Sequence, residues 1–343
     1  MKAIVLDGHG SLKNVSLSEI PVPAIRPDEV LLEVKAAALN RLDLWVVEGW
    51  PGLRLSFPHV LGSDGAGVVA KVGTQVNEFQ IGDRVAVDPT VSCGHCAFCL
   101  AGEENRCDNF AVLGEHVPGF YAQYVAVPAR NLLKLPQATS FETAAAASLV
   151  FVTAWHSLIE AGALRAGEDV LVVGAAGGVN TAAIQVARLA GARRIFVVGS
   201  SNEKLELARQ LGADVLINRH KENWAKAVYQ ATERRGVDVV VDNVGAATYY
   251  HSLRSLKKGG RLLTVGNTSG ATFEFDNRLI FGKHLTIIGS TMGPHRDFVR
   301  AMEMVIDGRL RPVIDSVLPL SEGVAALHRL EEGDVLGKIV LKP

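Results

Sequence analysis

The chain has no excess of charge of either sign. Its 35 Lys and Arg residues oppose 36 Asp and Glu residues over 343 positions, which leaves a formal net charge of -1. Because no positive field attracts a polyanion, nucleic acid is not expected as a partner. The balanced charge is compatible with a small-molecule substrate as the partner.

No apolar run is long enough to predict a membrane span. The N-terminus, MKAIVLDGHG, lacks the apolar region of a secretion signal. The most apolar later stretch, 144–155, falls short of the roughly 20 residues that cross a bilayer. Together with a composition of 48% hydrophobic and 21% charged residues, this favours a soluble, cytoplasmic protein without membrane contact. At roughly 150 residues per domain, the length predicts two domains.

Cysteine is scarce, and the only four cysteines lie in one segment, VSCGHCAFCLAGEENRC. The spacing C-x2-C-x2-C-x7-C favours a structural zinc, because four thiolates complete a tetrahedral shell and leave no open position. The predicted ligands are Cys93, Cys96, Cys99 and Cys107. Disulfides are one alternative, disfavoured without a secretion signal, and an iron–sulfur cluster is another, for which this spacing is less usual.

The second half alternates short apolar strands with helical patterns. Six runs have the continuous apolar character of strands buried on both faces: VLVV (170–173), IFVV (195–198), VLI (215–217), VVVDNV (239–244), RLLTV (261–265) and LTIIG (285–289). Two intervening helical patterns end at Gly191 and Gly212, residues favoured after a helix. This alternation predicts a doubly wound parallel sheet of the Rossmann type.

A glycine-rich turn, GAAGGVN, follows the first of these strands and opens into a helix. Small residues there let backbone N–H groups approach a pyrophosphate at the positive end of the helix. The predicted contacts are Gly174, Gly177, Gly178 and Val179. Asn180 stands where the pattern favours glycine or alanine, so we expect a slightly shifted helix. A plain tight turn is the alternative.

The segment after the second strand favours NADPH over NADH. NAD-binding units place an acidic residue on the adenosine ribose about 20 residues beyond the glycine turn. This chain has Gly199, Ser200 and Ser201 there. The two hydroxyls, with Lys204 and Arg219, would receive a 2′-phosphate that a carboxylate would repel. The alternative is that these residues only cap and solvate the next helix, although capping and phosphate binding can coexist.

The first half consists of short β-strand patterns separated by Gly, Pro and Asp, as is typical of a small barrel. The helical segment FETAAAASLVFVTAWHSLIEAG links the halves, and the tail ending in GKIVLKP is expected to return to the first half. We therefore predict one domain over 1–147 and 290–343, with the cysteine segment at 93–107. The dinucleotide-binding domain is predicted over 148–289.

Six motifs occur in one order along the chain: GSDGAGVV, GDRVAV, the four-cysteine segment, GFYA, GAAGGV and GKIVL. Together they resemble the medium-chain dehydrogenase/reductase family, which includes zinc alcohol dehydrogenases and quinone oxidoreductases. The resemblance covers essentially the whole chain. It implies an α/β fold with a GroES-like β-barrel domain and a Rossmann domain, a nicotinamide held in the cleft between them, and a homodimer or homotetramer. It also implies cofactor contacts from Thr153, Gly266 and Asn267. Val244, at the end of the fourth strand, is a further cofactor candidate, with a purely structural role at the strand terminus as the alternative.

The chain departs from the metal-dependent branch of that family. Alcohol dehydrogenases of the family hold a catalytic zinc through a Cys after the second long strand, a His in a Gly-His-Glu motif, and a Cys or acidic residue near the inter-domain helix. At these places this chain has Asn40, Ser63 with Asp64, and approximately Leu149. A lone carboxylate with amide and hydroxyl neighbours is a poor zinc site, so we predict one structural zinc and no catalytic zinc.

The stretch that begins at Asn40 and ends at Asp43 is similar to that of quinone and enone reductases, which transfer hydride from NADPH to an activated carbonyl acceptor. Asn40 is predicted as a catalytic residue that hydrogen-bonds the developing charge, or alternatively as an amide that satisfies the backbone at a strand end. Trp50 and Phe57 either line an apolar substrate pocket or simply pack. The proton donor is left open between water and His59.

These observations predict an NADPH-dependent oxidoreductase that acts on a quinone or an α,β-unsaturated carbonyl. A zinc alcohol dehydrogenase with an unrecognised metal site is the alternative enzyme, and two zincs per chain would support it. A redox-inactive binding protein that keeps the cofactor fold is a further alternative, disfavoured by the complete cofactor turn.

Overall fold

A computed structural model describes every residue, Met1–Pro343. The chain forms two compact units, one of Met1–Val150 with Pro294–Pro343 and the other of Phe151–Gly293. The expected boundaries, 147/148 and 289/290, fall slightly earlier. The first boundary lies inside a continuous helix, where sequence composition gives no signal.

Eighteen strands are present. They are β1 (Lys2–Leu6), β2 (Val15–Glu19), β3 (Glu29–Ala38), β4 (His59–Val60), β5 (Asp64–Val72), β6 (Arg84–Val87), β7 (Thr90–Val91), β8 (Ala111–Val112), β9 (Tyr124–Pro128), β10 (Leu132–Lys134), β11 (Asp169–Val173), β12 (Arg194–Gly199), β13 (Val215–Asn218), β14 (Val237–Asp242), β15 (Leu256–Thr264), β16 (Thr286–Gly289), β17 (Ile314–Pro319) and β18 (Lys338–Lys342).

Ten α-helices accompany them. They are α1 (Arg41–Glu48), α2 (Ala97–Leu100), α3 (Phe141–Trp155), α4 (Gly178–Leu189), α5 (Asn202–Gln210), α6 (Trp224–Ala231), α7 (Tyr249–Ser255), α8 (Arg278–Lys283), α9 (His295–Ile306) and α10 (Gly323–Glu332). A π-helical segment, His156–Ala161, continues α3.

A seven-stranded sheet organises the first unit. Its order is β10-β6-β5-β3-β18-β17, and β9 also pairs with β3. The central strand β3 runs antiparallel to β5 and to β18, so that Ala38 lies opposite both Asp64 and Val340. The end of β3 therefore meets the beginnings of β5 and β18 at one edge of the sheet, although these segments are far apart in the sequence.

Two buried aromatic rings explain two glycines of the GSDGAGVV motif. Phe120 and Tyr121 are fully buried in the aliphatic core of the first unit. A Cβ atom on Gly65 would lie 2.0 Å from the Phe120 ring, and one on Gly62 would lie 2.3 Å from the Tyr121 ring. Since such contacts are impossible without repacking, glycine at these positions lets the rings close over the start of β5.

Six parallel strands form the sheet of the second unit, in the order β13-β12-β11-β14-β15-β16. Each of the six predicted runs forms one of these strands. Both β11 and β14 are buried along their whole length, which explains their continuous apolar character. The strand order reverses between β11 and β14, the point at which doubly wound sheets open a crevice at the carboxyl ends of their strands.

Helix α3 uses its apolar surface for packing. With its π-helical continuation it spans Phe141–Ala161, and by length and composition alone it is able to cross a membrane. However, 72% of its most apolar window is buried inside the structure, and the alanines at 144–147 are fully buried. This is the behaviour of a core helix.

Candidate functional site

Three polar side chains meet where β3 ends and where β5 and β18 begin. Asn40 follows β3, Asp64 begins β5 and Lys338 begins β18. The Asn40 amide nitrogen donates to Asp64 Oδ2 at 2.8 Å, and Lys338 Nζ donates to the same oxygen at 2.9 Å and to Asn40 Oδ1 at 2.5 Å. All three residues are buried, with Asp64 at 0% and Lys338 at 3% exposure. The result is an internal ion pair bridged by an amide.

The second oxygen of Asp64 completes the link to α3. Asp64 Oδ1 accepts a hydrogen bond from the backbone N–H of Leu149 at 2.7 Å. The positions matched to the catalytic metal ligands of the resembling family are Asn40, Ser63 with Asp64, and approximately Leu149, and hydrogen bonds join three of these residues, Asn40, Asp64 and Leu149. They contribute an amide, a carboxylate and a backbone N–H. The sequence analysis missed Lys338, whose only signal was its place at the start of the closing strand.

Both polar atoms of the Asn40 side chain are hydrogen-bonded within the protein. Its Nδ2 group donates to Asp64 and, at 3.5 Å, to the carbonyl of Ala38, while its oxygen accepts from Lys338. It is also the N-cap of α1, a helix that the sequence analysis did not predict. Each polar atom of the amide thus has a partner within the protein, one of them the local backbone carbonyl of Ala38, and the catalytic role of Asn40 stays a prediction.

Asp43 is a second buried carboxyl in the same region. Its Oδ2 accepts from the backbone N–H of Asn40 at 2.7 Å and from the Tyr121 hydroxyl at 2.6 Å, whereas its Oδ1 has no partner. Burial raises the pKa of Asp43 to about 6, although the two donors and the charge of Lys338 act to lower it. Asp43 thus ties the first turn of α1 to the buried Tyr121 ring.

Trp50 and Phe57 lie on the segment between α1 and β4. They are 38% and 42% exposed, and the Phe57 ring stands edge-on to His9 with a centroid distance of 5.2 Å. Neighbouring Leu53 and Leu55 pack against the core instead. The two aromatic rings therefore do not serve the core, and their part in an apolar substrate pocket stays a prediction.

The glycine turn between β11 and α4 is fastened by Asn180. Its side chain, 4% exposed, donates to the carbonyl of Val173 at 3.0 Å and pairs with the amide of Asn243 at 3.2 Å. Gly174 has φ +116°, and a Cβ atom there would lie 2.8 Å from the Asn180 amide. The side chain that we expected to shift the helix instead folds back onto the turn. Gly177, Gly178 and Val179 form the N-terminus of α4.

The residues predicted at the adenosine end lie together after β12 and β13. Ser201 is the N-cap of α5, and its hydroxyl accepts from the backbone N–H of Lys204 at 3.2 Å. The backbone N–H of Arg219 donates to the carbonyl of Gly199 at 3.0 Å, which brings Arg219 beside Ser200 and Ser201. A Cβ atom on Gly199 would lie 2.7 Å from the Leu205 side chain.

A loop after β15 joins the same edge of the sheet. The backbone N–H and the hydroxyl of Ser269 both donate to the carbonyl of Val244 at 2.7 Å. Gly245 is packed so closely that a Cβ atom there would lie 3.0 Å from Asn267. Val244, Gly266 and Asn267 are thus brought to the carboxyl ends of β14 and β15. Thr153, on α3, is buried, and its hydroxyl lies 4.0 Å from the sulfur of Met292.

The four cysteines form a cluster whose dimensions fit zinc. Their sulfur atoms all lie within 4.8 Å of one another, and three pairs are separated by 3.5, 3.9 and 3.9 Å. A tetrahedron with Zn–S bonds of about 2.3 Å has edges of about 3.8 Å. Backbone N–H groups of His95 and Cys96 lower the pKa of Cys93 to about 6, which favours the thiolate that a metal requires. The set fits a structural zinc that is bound by Cys93, Cys96, Cys99 and Cys107.

Comparison with known proteins agrees with this architecture. The family model described as "Alcohol dehydrogenase GroES-like domain" matches residues 26–137, and the model "Zinc-binding dehydrogenase" matches 178–307. A protein of Sulfurisphaera tokodaii named acryloyl-coenzyme A reductase is 32% identical over the full length of both chains. A protein of Sulfolobus acidocaldarius named NAD-dependent alcohol dehydrogenase is 34% identical over 100% of this chain and 99% of its own.

Solved structures extend the similarity to the fold. A crystal structure of an NAD-dependent alcohol dehydrogenase has a TM-score of 0.95 at 42% identity, with full coverage of both chains. The alcohol dehydrogenase of Aeropyrum pernix has a TM-score of 0.93 at 29% identity, again over both full chains. The predicted α/β fold, a GroES-like domain plus a Rossmann sheet, is confirmed. The chain is an NAD(P)H-dependent oxidoreductase that belongs to the medium-chain dehydrogenase/reductase family.

Proposed function

We propose that the protein is an NADPH-dependent reductase of α,β-unsaturated carbonyls or quinones that works without a catalytic metal. The observation that carries this proposal is the buried ion pair of Lys338 and Asp64, bridged by Asn40. In the metal-dependent relatives a zinc would be held at this place by side-chain ligands. In this chain an ammonium group from the protein itself supplies a positive charge.

The side chains at this place do not fit zinc. The carboxylate of Asp64 is engaged by Lys338, by Asn40 and by the backbone of Leu149, so a metal would compete with these hydrogen bonds for its oxygens. A divalent ion would also stand beside the ammonium of Lys338, where like charges repel strongly in a buried environment. Neutral amide and hydroxyl groups replace the soft ligands that zinc prefers.

This donor set favours activated acceptors over simple alcohols. Oxidation of an alcohol in this family relies on a Lewis acid that lowers the pKa of the hydroxyl group. An unsaturated carbonyl or a quinone delocalises the negative charge that arrives with the hydride. Its reduction therefore depends less on stabilisation of that charge by a Lewis acid. The relative named acryloyl-coenzyme A reductase, and a second protein of that name from Metallosphaera sedula at 33% identity, support an unsaturated thioester as acceptor.

When bound, the nicotinamide cofactor would supply the hydride. The residues present fit such a cofactor: the N-terminus of α4 follows a turn in which Gly174 has φ +116°, and Asn180 fixes that turn to the end of β11. Backbone N–H groups at Gly177, Gly178 and Val179 would bind the pyrophosphate. Thr153, Val244, Gly266 and Asn267 are proposed to position the nicotinamide.

NADPH is the proposed form of the cofactor, although several relatives are named NAD-dependent. The support is local to this chain. Gly199 stands where a ribose-binding carboxylate is usual, and its Cβ position is already filled by Leu205. Ser200, Ser201, Lys204 and Arg219 would bind the 2′-phosphate at the start of α5.

We also propose a cytoplasmic homodimer or homotetramer. Reduced thiols suit the four-cysteine zinc site and are maintained in the cytosol. Strand β16 lies at the edge of the second unit's sheet, and sheet edges in native proteins are usually paired or covered. The nearby Phe281 side chain is 64% exposed, which favours its burial against a second copy of this chain.

The alternative activity, oxidation of an alcohol, is favoured by the names of several relatives. Purified protein should therefore be assayed in parallel with NADPH plus an acryloyl thioester, an enone or a quinone, and with NADP⁺ plus a primary or secondary alcohol. We expect reduction of the activated acceptors and little turnover of the alcohols, because no Lewis acid activates the hydroxyl. Faster alcohol oxidation would contradict the proposal.

Replacement of Lys338 by Met should be strongly destabilising. The change leaves the Asp64 carboxylate buried without its counter-charge, which costs about 3–5 kcal/mol of unfolding free energy. Urea denaturation measures the loss. The matched control is Lys342→Met on the same strand, since Lys342 is exposed and pairs with Glu142 at the surface; we expect a loss of at most about 1 kcal/mol there.

A second change should restore stability. In the double variant Lys338→Met with Asp64→Asn, the uncompensated charge is gone and the Leu149 N–H keeps an acceptor, so most of the lost free energy should return. If the single and double variants are equally unstable, the ion pair does not hold this edge together.

Replacement of Arg219 by Ala should separate the two nicotinamide cofactors. Loss of a charge-assisted hydrogen bond to the 2′-phosphate should raise the Kd for NADPH about ten- to a hundredfold and leave the Kd for NADH unchanged. Fluorescence titration measures both constants. Arg209→Ala is the control, because Arg209 lies on α5 and pairs with Glu206. Equal weakening of both cofactors by Arg219→Ala would exclude the 2′-phosphate contact.

A further inference from the structure

Glu115 is a titratable group that the proposed reaction has not yet used. It lies in a tight turn after β8, in which the backbone N–H groups of Glu115 and His116 both donate to the carbonyl of Val112, at 3.2 and 2.9 Å. The N–H of Gly114 donates to the carbonyl of Val117 at 2.7 Å. These bonds fix the backbone on both sides of the carboxyl group.

The turn is packed directly onto the segment that carries Asp64. A Cβ atom on Gly114 would lie 2.4 Å from the backbone of Gly62, and the N–H of Phe120 donates to the carbonyl of Gly62 at 2.8 Å. Glu115 thus follows a residue in van der Waals contact with the start of the GSDGAGVV motif. Ser63 follows Gly62 in that motif, and its hydroxyl group is fully buried and has no hydrogen-bond partner. A bound group that offers a polar atom would satisfy it.

The Glu115 carboxyl is buried without a hydrogen bond. The residue is 9% exposed, and its carboxyl group lies 3.6 Å from Nδ1 of His116. That nitrogen accepts the backbone N–H of Val112 and has no proton to give to the carboxyl. Burial raises the pKa of Glu115 to about 7, and the negative charge of Asp43 acts in the same direction. Glu115 is therefore an acid that is partly protonated at neutral pH.

We propose that Glu115 is the general acid that delivers a proton to the α-carbon of an unsaturated carbonyl substrate. This proposal rests on the proposed function. As the β-carbon of the substrate gains the hydride, the electron pair of the C=C bond moves onto the α-carbon and the carbonyl as an enolate. Glu115 then forms the new α-C–H bond with its proton and remains as a carboxylate, which solvent reprotonates. The substrate gains one hydride and one proton in total.

Other acids in this region are worse placed. His59, the candidate from the sequence, is 3% exposed, its Nε2 bonds the carbonyl of Gly114, and burial lowers its pKa. Burial likewise lowers the pKa of His116. Tyr121 is fully buried and donates to Asp43, and burial raises its pKa well above the usual value. Of these groups, Glu115 combines a protonated form near pH 7 with a side chain that is 12% exposed.

The two classes of proposed acceptor separate the role of Glu115 from a general loss of activity. A reduced enone must receive a proton on carbon, which is slow without a positioned acid, whereas the oxygens of a reduced quinone exchange protons with water directly. With Glu115→Gln, we expect kcat for enones to fall about a hundredfold or more. Turnover of quinones should stay within about twofold. The control is Glu78→Gln, since Glu78 is exposed.

The pH dependence of kcat and the position of deuterium in the product distinguish a proton-donating role of Glu115 from a purely structural one. Because the acid form must be present, kcat for enone reduction by the unchanged protein should fall as the pH rises through about 7, and the Glu115→Gln variant should lose this step. In D2O the unchanged protein should place deuterium on one face of the α-carbon, whereas the variant should give a mixture of faces. Infrared difference spectra of the two proteins should show a carboxyl band that titrates near pH 7 without any substrate.

The outcomes distinguish failure of this inference from failure of the proposed function. If the unchanged protein reduces neither enones nor quinones, the proposed function is wrong. If it reduces enones, and Glu115→Gln keeps both its rate and its single-face deuteration, then water or another group is the donor and the inference is overturned. A variant that loses enone and quinone turnover together, with an altered melting temperature, would show a structural role and also overturn it.

Discussion

The buried ion pair between Lys338 and Asp64 is the constraint on which the first unit depends. Two charges at 3% and 0% exposure are stable only when each has close partners, because burial removes the water that would otherwise solvate them. Their partners come from the end of β3 and from α3. Segments that are about 300 residues apart in sequence must therefore meet before hydrogen bonds and charge pairing offset the desolvation of the two charges. The same contact joins the C-terminal strand to the first unit.

This constraint also shapes the chemistry. The Asp64 carboxylate accepts hydrogen bonds from an ammonium, an amide and a backbone N–H, and a metal ion there would compete with these three donors. We therefore propose that zinc is confined to the four cysteines, which fit a closed structural shell. In the proposed function, such a site would suit hydride acceptors that delocalise charge by themselves, and the carboxyl group of Glu115 would complete the reduction with a proton.

Much of the fold could be predicted from local patterns. Strands buried on both faces, such as β11 and β14, are recognisable by their continuous apolar runs at 170–173 and 239–241, and the zinc site is recognisable because its ligands lie within one short segment. The polar cluster was not predictable in this way. Whether Lys338 contacts Asp64 depends on the register of three antiparallel strands that are remote in sequence, and a lysine at a strand terminus carries no signal of burial. Asn40 was singled out in the sequence, whereas the helix that it caps was not, because that helix begins where a strand end was expected. Glu115 could not be singled out in the sequence, because only its burial in the folded structure distinguishes it from the other glutamates.

The most direct test of a reductase without a catalytic metal is a crystal structure with anomalous diffraction measured at the zinc absorption edge. The account predicts one peak per chain, at the centre of Cys93, Cys96, Cys99 and Cys107, with the ammonium of Lys338 still in contact with Asp64. A second peak of comparable height beside Asn40, Ser63 and Asp64 would contradict it and would make alcohol oxidation through a bound zinc the better explanation.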